Sequence, residues 1–309
     1  MNSIISAGRP AECDLIELRG RTAAGQWLKK GRRFVTIPDL VRRLSQPRGG
    51  VKFLGAAAIL YGVVCFLQGG FATPWQPVPE SLPLRQLLGF LSAGLLVLGG
   101  AGLLIGRTLR PAAMLLLILF ALYDVCYVLQ IMKHQDVGRA LLGLAEQSSV
   151  VIGVSALLLR IGGGGSAAAA TARISFGVCS VLFALAHFIG LKLTAQGVPE
   201  WLPGGQVFWA IATGVGHVAV GLGLIANRLA VPATRLGALM YISFALFTWT
   251  LGALTHPTEW LRWAGAAISL CMAAALWLVG DLLAARKKEV SDPAVGDLKA
   301  ATPASALAS

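Results

Sequence analysis

Four ionisable side chains lie inside long apolar stretches of the sequence: Asp124, Glu146, His187 and His217. Placing such a group at membrane depth costs about 2.5 to 3.5 kcal/mol on insertion scales, so each is a candidate for function. Two carboxylates that face one pocket disfavour each other's ionised form, and a nearby imidazole can accept a hydrogen bond or exchange a proton. Such a group could hold a quinone headgroup, pass protons or bind a cation.

A structural role is the alternative for these four residues. Each would then hydrogen-bond to a polar neighbour in its own bundle: Asp124 to Tyr127 or Tyr123, and Glu146 to Gln147 or Ser148. Spacing along the chain does not decide which helix faces meet, so both interpretations stay open.

The segments that carry these residues are long and apolar. Hydrophobic residues make up 56% of the chain and charged residues 13%, with a mean hydropathy of +0.72, which is typical of a protein surrounded by lipid. A span needs roughly 20 apolar residues. The sequence predicts eight spans, at about residues 52–71, 85–106, 110–132, 139–160, 172–193, 205–226, 232–254 and 261–283. Because the apolar runs are continuous, they favour helices over the alternating strands of a barrel, and we predict an all-α polytopic protein in a lipid bilayer.

Positive charge is unevenly divided between the predicted loops. The side that carries both termini holds most of the Arg and Lys residues, including Arg107, Arg228 and Arg286 to Lys288. The positive-inside rule therefore places both termini in the cytoplasm, in a bacterial-type inner membrane. The same distribution argues against nucleic acid as a partner, because the net charge of +12 follows membrane topology.

Composition predicts five segments. Residues 1–50 form a basic, largely disordered cytoplasmic tail, residues 162–171 a Gly/Ala linker and residues 285–309 a second disordered cytoplasmic tail. Between them lie two four-helix membrane units, at residues 51–161 and 172–284.

The two units share a six-residue motif about 120 residues apart, between the first and second predicted spans of each. Its residues are Val78, Pro79, Glu80, Ser81, Leu82 and Pro83 in the first unit, and Val198, Pro199, Glu200, Trp201, Leu202 and Pro203 in the second. The chain is therefore predicted to be a tandem duplication, with two parallel bundles because each unit has an even number of spans. The prolines predict a kinked, partly embedded outer loop, which is either a rigid connector or a lid over a site.

Several reaction classes lack their sequence motifs. The five cysteines form no Cys-x-x-Cys pair, and there is no H-E-x-x-H, phosphate loop, nucleophile elbow or haem attachment sequence. We therefore expect no metal site, and a hydrolase or a nucleotide-driven pump is disfavoured.

The second unit resembles the DoxX-like membrane families over residues 172–283. The resemblance is carried by Arg173, Ile174, His187, Phe188, the motif at 198–203, Phe208, Trp209, residues 213–217, Gly221, Leu222, Arg235 and residues 239–244. The first unit is similar more loosely, with Ser81 in place of Trp201 and Val97 in place of His217. The resemblance implies a four-helix fold. Some relatives are implied to be small membrane subunits of quinone-linked oxidoreductases, and others cargo receptors or assembly factors.

Two functions are consistent with these features. One is a membrane subunit that supports quinone-linked redox chemistry beside another redox or membrane protein, with quinone as the cofactor. The other is non-enzymatic: a scaffold, an assembly factor or a small-solute permeation protein. The sequence leaves open whether the chain is an enzyme, and it identifies no catalytic residue.

Overall fold

A computed structural model describes residues 48–291, so most of the two predicted tails, at 1–47 and 292–309, lies outside the described residues. The described part is helical and contains no strand. Its α-helices are α1 Gly49–Gln68, α2 Arg85–Leu104, α3 Leu109–Met132, α4 Val137–Gly162, α5 Ser166–Ile189, α6 Leu191–Gln196, α7 Gln206–Ile225, α8 Ala230–Ser243, α9 Leu251–Thr255 and α10 Trp260–Ser291. A 3₁₀ turn at Gly106–Thr108 precedes α3, and a π-helix at Phe244–Thr250 joins α8 to α9.

Eight helical segments within the described residues are long and apolar enough to cross a membrane. They are α1, α2, the 3₁₀ turn with α3, α4, α5, α7, the continuous α8 to α9 helix, and α10 up to Val290. In lipid a backbone satisfies its own polar groups most readily as a helix. The prediction of an all-α polytopic membrane protein with about eight spans is confirmed.

Two of the predicted segment boundaries differ from the structure. Only Gly163 to Gly165 separate α4 from α5, whereas the predicted linker covered residues 162–171. The alanines at 167–170 are strong helix formers, which extends α5 back to Ser166. At the other end, α10 continues to Ser291, so the predicted tail at 285–309 begins as helix.

The two predicted units have connections of matching length. In each unit the first and second spans are joined by 16 residues, at 69–84 and 190–205. The remaining connections are four residues long, at 105–108 and 133–136 in the first unit and at 226–229 and 256–259 in the second.

The last helix, α10, lies at the centre of the packing. In its most apolar window 83% of the residues are buried, against 28 to 56% for the other spans. Successive spans pack against each other within each unit, but α10 also packs against α1 and α4, and α4 packs against α5. The fourth span of each unit therefore contacts the first span of the other, and the described residues belong to one compact body.

Helices α4 and α10 approach most closely at a small residue. A Cβ added to Gly153 would lie 2.3 Å from both Cα and Cβ of Ala275. Small residues at such a crossing allow two helix backbones to come together in a membrane.

A charge cluster joins three helices near the ends of α4 and α10. Asp281 on α10 accepts from the Arg235 guanidinium of α8 at 2.5 Å and lies 3.5 Å from that of Arg160 on α4. Arg235 also donates to the carbonyl of Trp277 at 2.8 Å and lies over its ring, 4.2 Å from the centroid. The cluster thus links residues from both units.

Candidate functional site

The two predicted histidines meet between α5 and α7. The ring centroids of His187 and His217 are 4.9 Å apart. His217 is 1% exposed and its Nδ1 has no hydrogen-bond partner among the described residues. The Nδ1–H of half-buried His187 donates to the carbonyl of Phe183 at 2.8 Å, which leaves the lone pair on Nε2 in the neutral ring.

Three aromatic rings complete what we call the histidine cluster, formed by Phe183, His187, His217, Tyr241 and Phe244. The ring centroids of Phe183, Tyr241 and Phe244 lie 5.4, 5.6 and 6.0 Å from that of His217. Tyr241 comes from α8, and its hydroxyl is buried without a hydrogen-bond partner. The Ser180 hydroxyl interacts with that of Tyr241, but the two oxygens do not meet hydrogen-bond geometry.

The π-helix begins at this cluster. Phe244 is its first residue and stacks on His187 with centroids 6.2 Å apart. A π-helix widens the turn and shifts the faces on which the following side chains lie, and such segments are frequent at functional sites. Further along it, Trp249 makes an edge contact with Trp75 of the first unit, at 5.6 Å between centroids.

The two predicted acids have separate partners. Asp124 on α3 accepts from the Ser148 hydroxyl of α4 at 3.0 Å through Oδ2, while its buried Oδ1 has no partner. Glu146 on α4 interacts with the indole of Trp75.

Asp124 therefore bonds within its own bundle, as the structural alternative expects, but to Ser148 and not to Tyr123 or Tyr127. The hydroxyls of Tyr123 and Tyr127 form their hydrogen bonds to groups other than Asp124, and the buried side-chain amide of Gln147 has no hydrogen-bond partner. Which hydroxyl lies opposite each acid depends on how α3 and α4 are rotated about their axes.

Two tyrosines interact with these acids: Tyr127 of α3 and Tyr241 of the histidine cluster. The hydroxyl of Tyr127 interacts electrostatically with both Asp124 and Glu146, and that of Tyr241 interacts with Glu146. Tyr241 also contacts His217, with ring centroids 5.6 Å apart. The structure thus brings the two histidines into contact with each other, while Asp124 bonds to Ser148 and to no other member of the set.

The connection at 69–84 folds into the first unit and is anchored by Gln76, which is 0% exposed. Its Oε1 accepts from the backbone N–H of Ala72 at 2.7 Å and from the Cys65 thiol at 3.5 Å, and its Nε2 donates to the Tyr123 hydroxyl at 3.1 Å. Tyr123 also shares a short hydrogen bond with Ser92. One amide therefore links the connection to α1 and α3, and through Tyr123 to α2.

The two motif copies form the same turns. The N–H of Leu82 donates to Pro79 at 3.3 Å and that of Leu202 to Pro199 at 3.2 Å. The residue after each motif is left-handed, with φ of 58° at Leu84 and 92° at Gly204. The acidic residues Glu80 and Glu200 are exposed in both copies. Among the described ring contacts of the histidine cluster, none involves a residue of either motif.

Sequence reasoning missed Tyr241 at the histidine cluster and Trp75 beside Glu146. It also missed two polar residues away from the cluster, the buried Gln76 and the partly buried Asp281. Trp75 and Gln76 lie between Pro74 and Pro77. An aromatic residue and a glutamine between two prolines could have indicated an embedded loop from the sequence alone. Asp281 is the only acid in the last predicted span. The cost of an ionisable group at membrane depth, which singled out Asp124, could have identified Asp281 as well.

No protein family model, curated protein or solved structure matches this chain. The geometry alone therefore carries the functional argument.

Proposed function

We propose that this chain is a DoxX-like membrane subunit that supports quinone-linked redox chemistry, and that a quinone headgroup binds at the histidine cluster. One observation carries the proposal. His217 Nδ1 and the Tyr241 hydroxyl are buried in an aromatic surround, and neither has a hydrogen-bond partner within the described residues. A buried polar group without a partner costs about 1 to 3 kcal/mol, so two of them side by side favour a ligand that pairs with them.

The residues fit the chemistry of a quinone headgroup. Its carbonyl oxygens accept hydrogen bonds, and the Tyr241 hydroxyl and a protonated ring nitrogen of His217 can donate them. Its flat ring suits the faces of Phe183 and Phe244. A bound quinone would supply two-electron redox chemistry coupled to proton transfer. Access from lipid is available beside His187, because the adjacent Phe188 is an exposed apolar residue.

The chain's own residues can hold protons next to this place. His187 keeps one ring nitrogen, Nε2, as an acceptor while Nδ1–H is bound to Phe183. The Tyr241 hydroxyl lies between His217 and Glu146, with which it interacts. Asp124 and Glu146 therefore extend the proton-binding groups of the cluster into the first unit.

The direct test is quinone retention after purification in mild detergent. We expect about one quinone per chain in the parent protein, and a loss of at least tenfold in affinity for His217→Phe or Tyr241→Phe, since each removed donor hydrogen bond is worth about 1.5 kcal/mol. Tyr61→Phe is the matched control, because the Tyr61 hydroxyl is equally buried and unpartnered but lies on α1. Equal loss in the control, or no quinone in the parent, would reject the site.

The non-enzymatic alternative gives the opposite result. A scaffold, assembly factor or permeation protein would purify without quinone, and a double substitution of His187 and Asp124 would leave respiratory activity unchanged. Under that role, His217→Phe would simply replace an unpartnered polar ring by an apolar one.

Tandem duplication and cytoplasmic termini belong to the same proposal. The matching connection lengths and the shared turns after each motif support the duplication. The contact between Gly153 and Ala275 also supports it, because the same offset of about 122 residues pairs Gly143 with Gly265. Equivalent positions of α4 and α10 would then face each other across a pseudo-two-fold axis.

Cysteine labelling tests the orientation in intact cells. A cysteine that replaces exposed Glu200 should react with an impermeant thiol reagent from outside, and one that replaces Gly165 should not. The parent protein is the control for the native cysteines. The reverse pattern would overturn the orientation.

A further inference from the structure

A basic cleft opens at the end of the molecule where α5 and α8 begin and α10 ends. Its volume is ≈ 1180 Å³. It is lined by the first turns of α5, by the connection at 226–229, by the start of α8 and by residues 283–290 of α10. This end lies opposite to the two motif-bearing connections, because an odd number of spans separates them.

Cations dominate the lining of the cleft. Arg173, Arg286, Lys287 and Lys288 contribute positive charge, and Glu289 is the only acid among the lining residues. Glu289 forms an ion pair with Arg286 at 3.2 Å, and cations outnumber acids among the lining residues four to one. The cleft therefore carries an excess of positive charge.

Arg173 is held in a fixed position within this cleft. Its guanidinium donates to the carbonyl oxygens of Leu224 and Ile225, which end α7. Two helices also begin at the cleft, α5 at Ser166 and α8 at Ala230, and helix N-termini carry a partial positive charge. The charge at the cleft is thus partly preorganised by the fold.

Most of the remaining lining is apolar, with Ser166 and Asn227 as its neutral polar residues. Ala169, Val231 and Leu283 line the cleft, while Leu229 and Val290 at its edge are 78% and 87% exposed. Cations next to exposed aliphatic side chains at the ends of membrane spans match a molecule with an anionic head and hydrocarbon chains. A free phosphate would use only the cations.

We infer that this cleft binds an anionic phospholipid, with the headgroup phosphate between Arg173 and the basic end of α10 and an acyl chain along the apolar wall. Basic pockets between helix ends are a known way for membrane proteins to hold such headgroups. This site is separate from the histidine cluster, and it does not depend on the proposed quinone.

The test compares lipid binding to the detergent-purified full chain by native mass spectrometry. The probes are dioleoylphosphatidylglycerol, dioleoylphosphatidylcholine and glycerol 3-phosphate. The variant K287Q/K288Q removes two charges from the cleft. The control R107Q/R110Q removes one charge from the equivalent connection of the first unit and one from the first turn of α3, and neither residue lines the cleft.

We expect the parent to prefer phosphatidylglycerol over phosphatidylcholine. K287Q/K288Q should weaken phosphatidylglycerol binding about thirtyfold, at about 1 kcal/mol for each basic residue. R107Q/R110Q should change it less than threefold.

Three outcomes would overturn the inference. Equal binding of the two lipids would mean that the cleft does not select a lipid by the charge of its headgroup. Equal weakening in both variants would mean that overall charge, and not the cleft, attracts the lipid. Binding of glycerol 3-phosphate as tight as that of the lipid would make this a free-anion site. A matching thermal unfolding temperature for the two variants checks that both are folded.

Discussion

The two 16-residue connections form the same turns at their motifs, but they differ in which side chains they bury. Residues 69–84 place Trp75 and Gln76 in the protein interior, and Gln76 is hydrogen-bonded at both of its amide atoms. Residues 190–205 contain the short helix α6 instead, and Gln196, which lies 120 residues after Gln76, is exposed. The shared motif therefore fixes the end of each connection, while the preceding residues decide whether it enters the core.

The molecule contains two kinds of buried polar group: some are hydrogen-bonded to each other, and others have no hydrogen-bond partner among the described residues. In the first unit Gln76, Tyr123 and Ser92 satisfy one another and hold a loop in place. In the second unit His217 and Tyr241 lie among aromatic rings without hydrogen-bond partners. A satisfied network specifies one packing, whereas unpaired groups in an ordered surround retain capacity for a ligand. The Gln76 network therefore stabilises the fold, and the pair of unpartnered groups at the histidine cluster is where we propose that a ligand binds. Unpartnered atoms also occur in the first unit, at Tyr61, Asp124 and Gln147.

The largest expected effect is on the first connection. Gln76→Leu leaves the buried N–H of Ala72 without an acceptor and removes the bond to Tyr123. We expect the free energy of unfolding in detergent to fall by about 3 kcal/mol. Gln196→Leu, at the corresponding exposed position, should leave it within about 0.5 kcal/mol. Equal effects in the two variants would remove the distinction between the connections.

The contact between α4 and α10 gives the next prediction. Gly153→Ala should destabilise the protein by about 2 kcal/mol, because the new methyl group would overlap the backbone of Ala275. Gly94→Ala is the control, since its new Cβ would meet only Phe66, at an ordinary 3.7 Å. Helix propensity favours alanine over glycine in both variants, so their difference in unfolding free energy isolates the steric term. A neutral or stabilising result at Gly153 would contradict the close approach of the two helices.

A smaller effect is expected at the charge cluster. Asp281→Asn leaves Arg160 and Arg235 without their carboxylate, and we expect a loss of about 1.5 kcal/mol, less than for a fully buried pair because both arginines are partly exposed. Asp136→Asn is the comparison in the first unit. Its ion pair with Arg139 is exposed, and its loss should cost less than about 0.5 kcal/mol. Chemical denaturation of both variants at one pH measures the contrast.

The spans were predictable from the sequence, whereas their facing surfaces were not. A continuous apolar run of about 20 residues has few stable structures in lipid other than a helix, which fixes all eight spans. His187 and His217 stood out because ionisable groups are rare at such depth, but their contact depends on the rotation of α5 and α7 about their axes. Gln76 was missed because it lies outside the apolar runs.

The smallest predicted effect compares the two four-residue connections at 133–136 and 256–259. Each ends in an acid that pairs with an arginine three residues later, Asp136 with Arg139 and Glu259 with Arg262. In the second connection the hydrogen bond from the Arg262 guanidinium lowers the pKa of Glu259 below its usual value, and the charge of Arg262 adds to this. A lowered pKa in the folded state means that the ionised carboxylate stabilises the fold above the pKa of the unfolded chain, and that this contribution disappears as pH falls through the folded pKa.

Arg262→Gln should therefore raise the pKa of Glu259 towards its usual value and remove a small acid-induced loss of stability. The measurement is the unfolding temperature of the parent and the variant between about pH 7 and pH 3, a range that spans the usual Glu pKa. Glu259→Gln should remove the same component, and the double variant should show no further change, because both substitutions act on one interaction. Since the pair is exposed, the effect should be small and should decrease further at high salt. An acid-induced loss that persists in Glu259→Gln would show that another carboxylate carries it, and the second connection would then have no electrostatic role of its own.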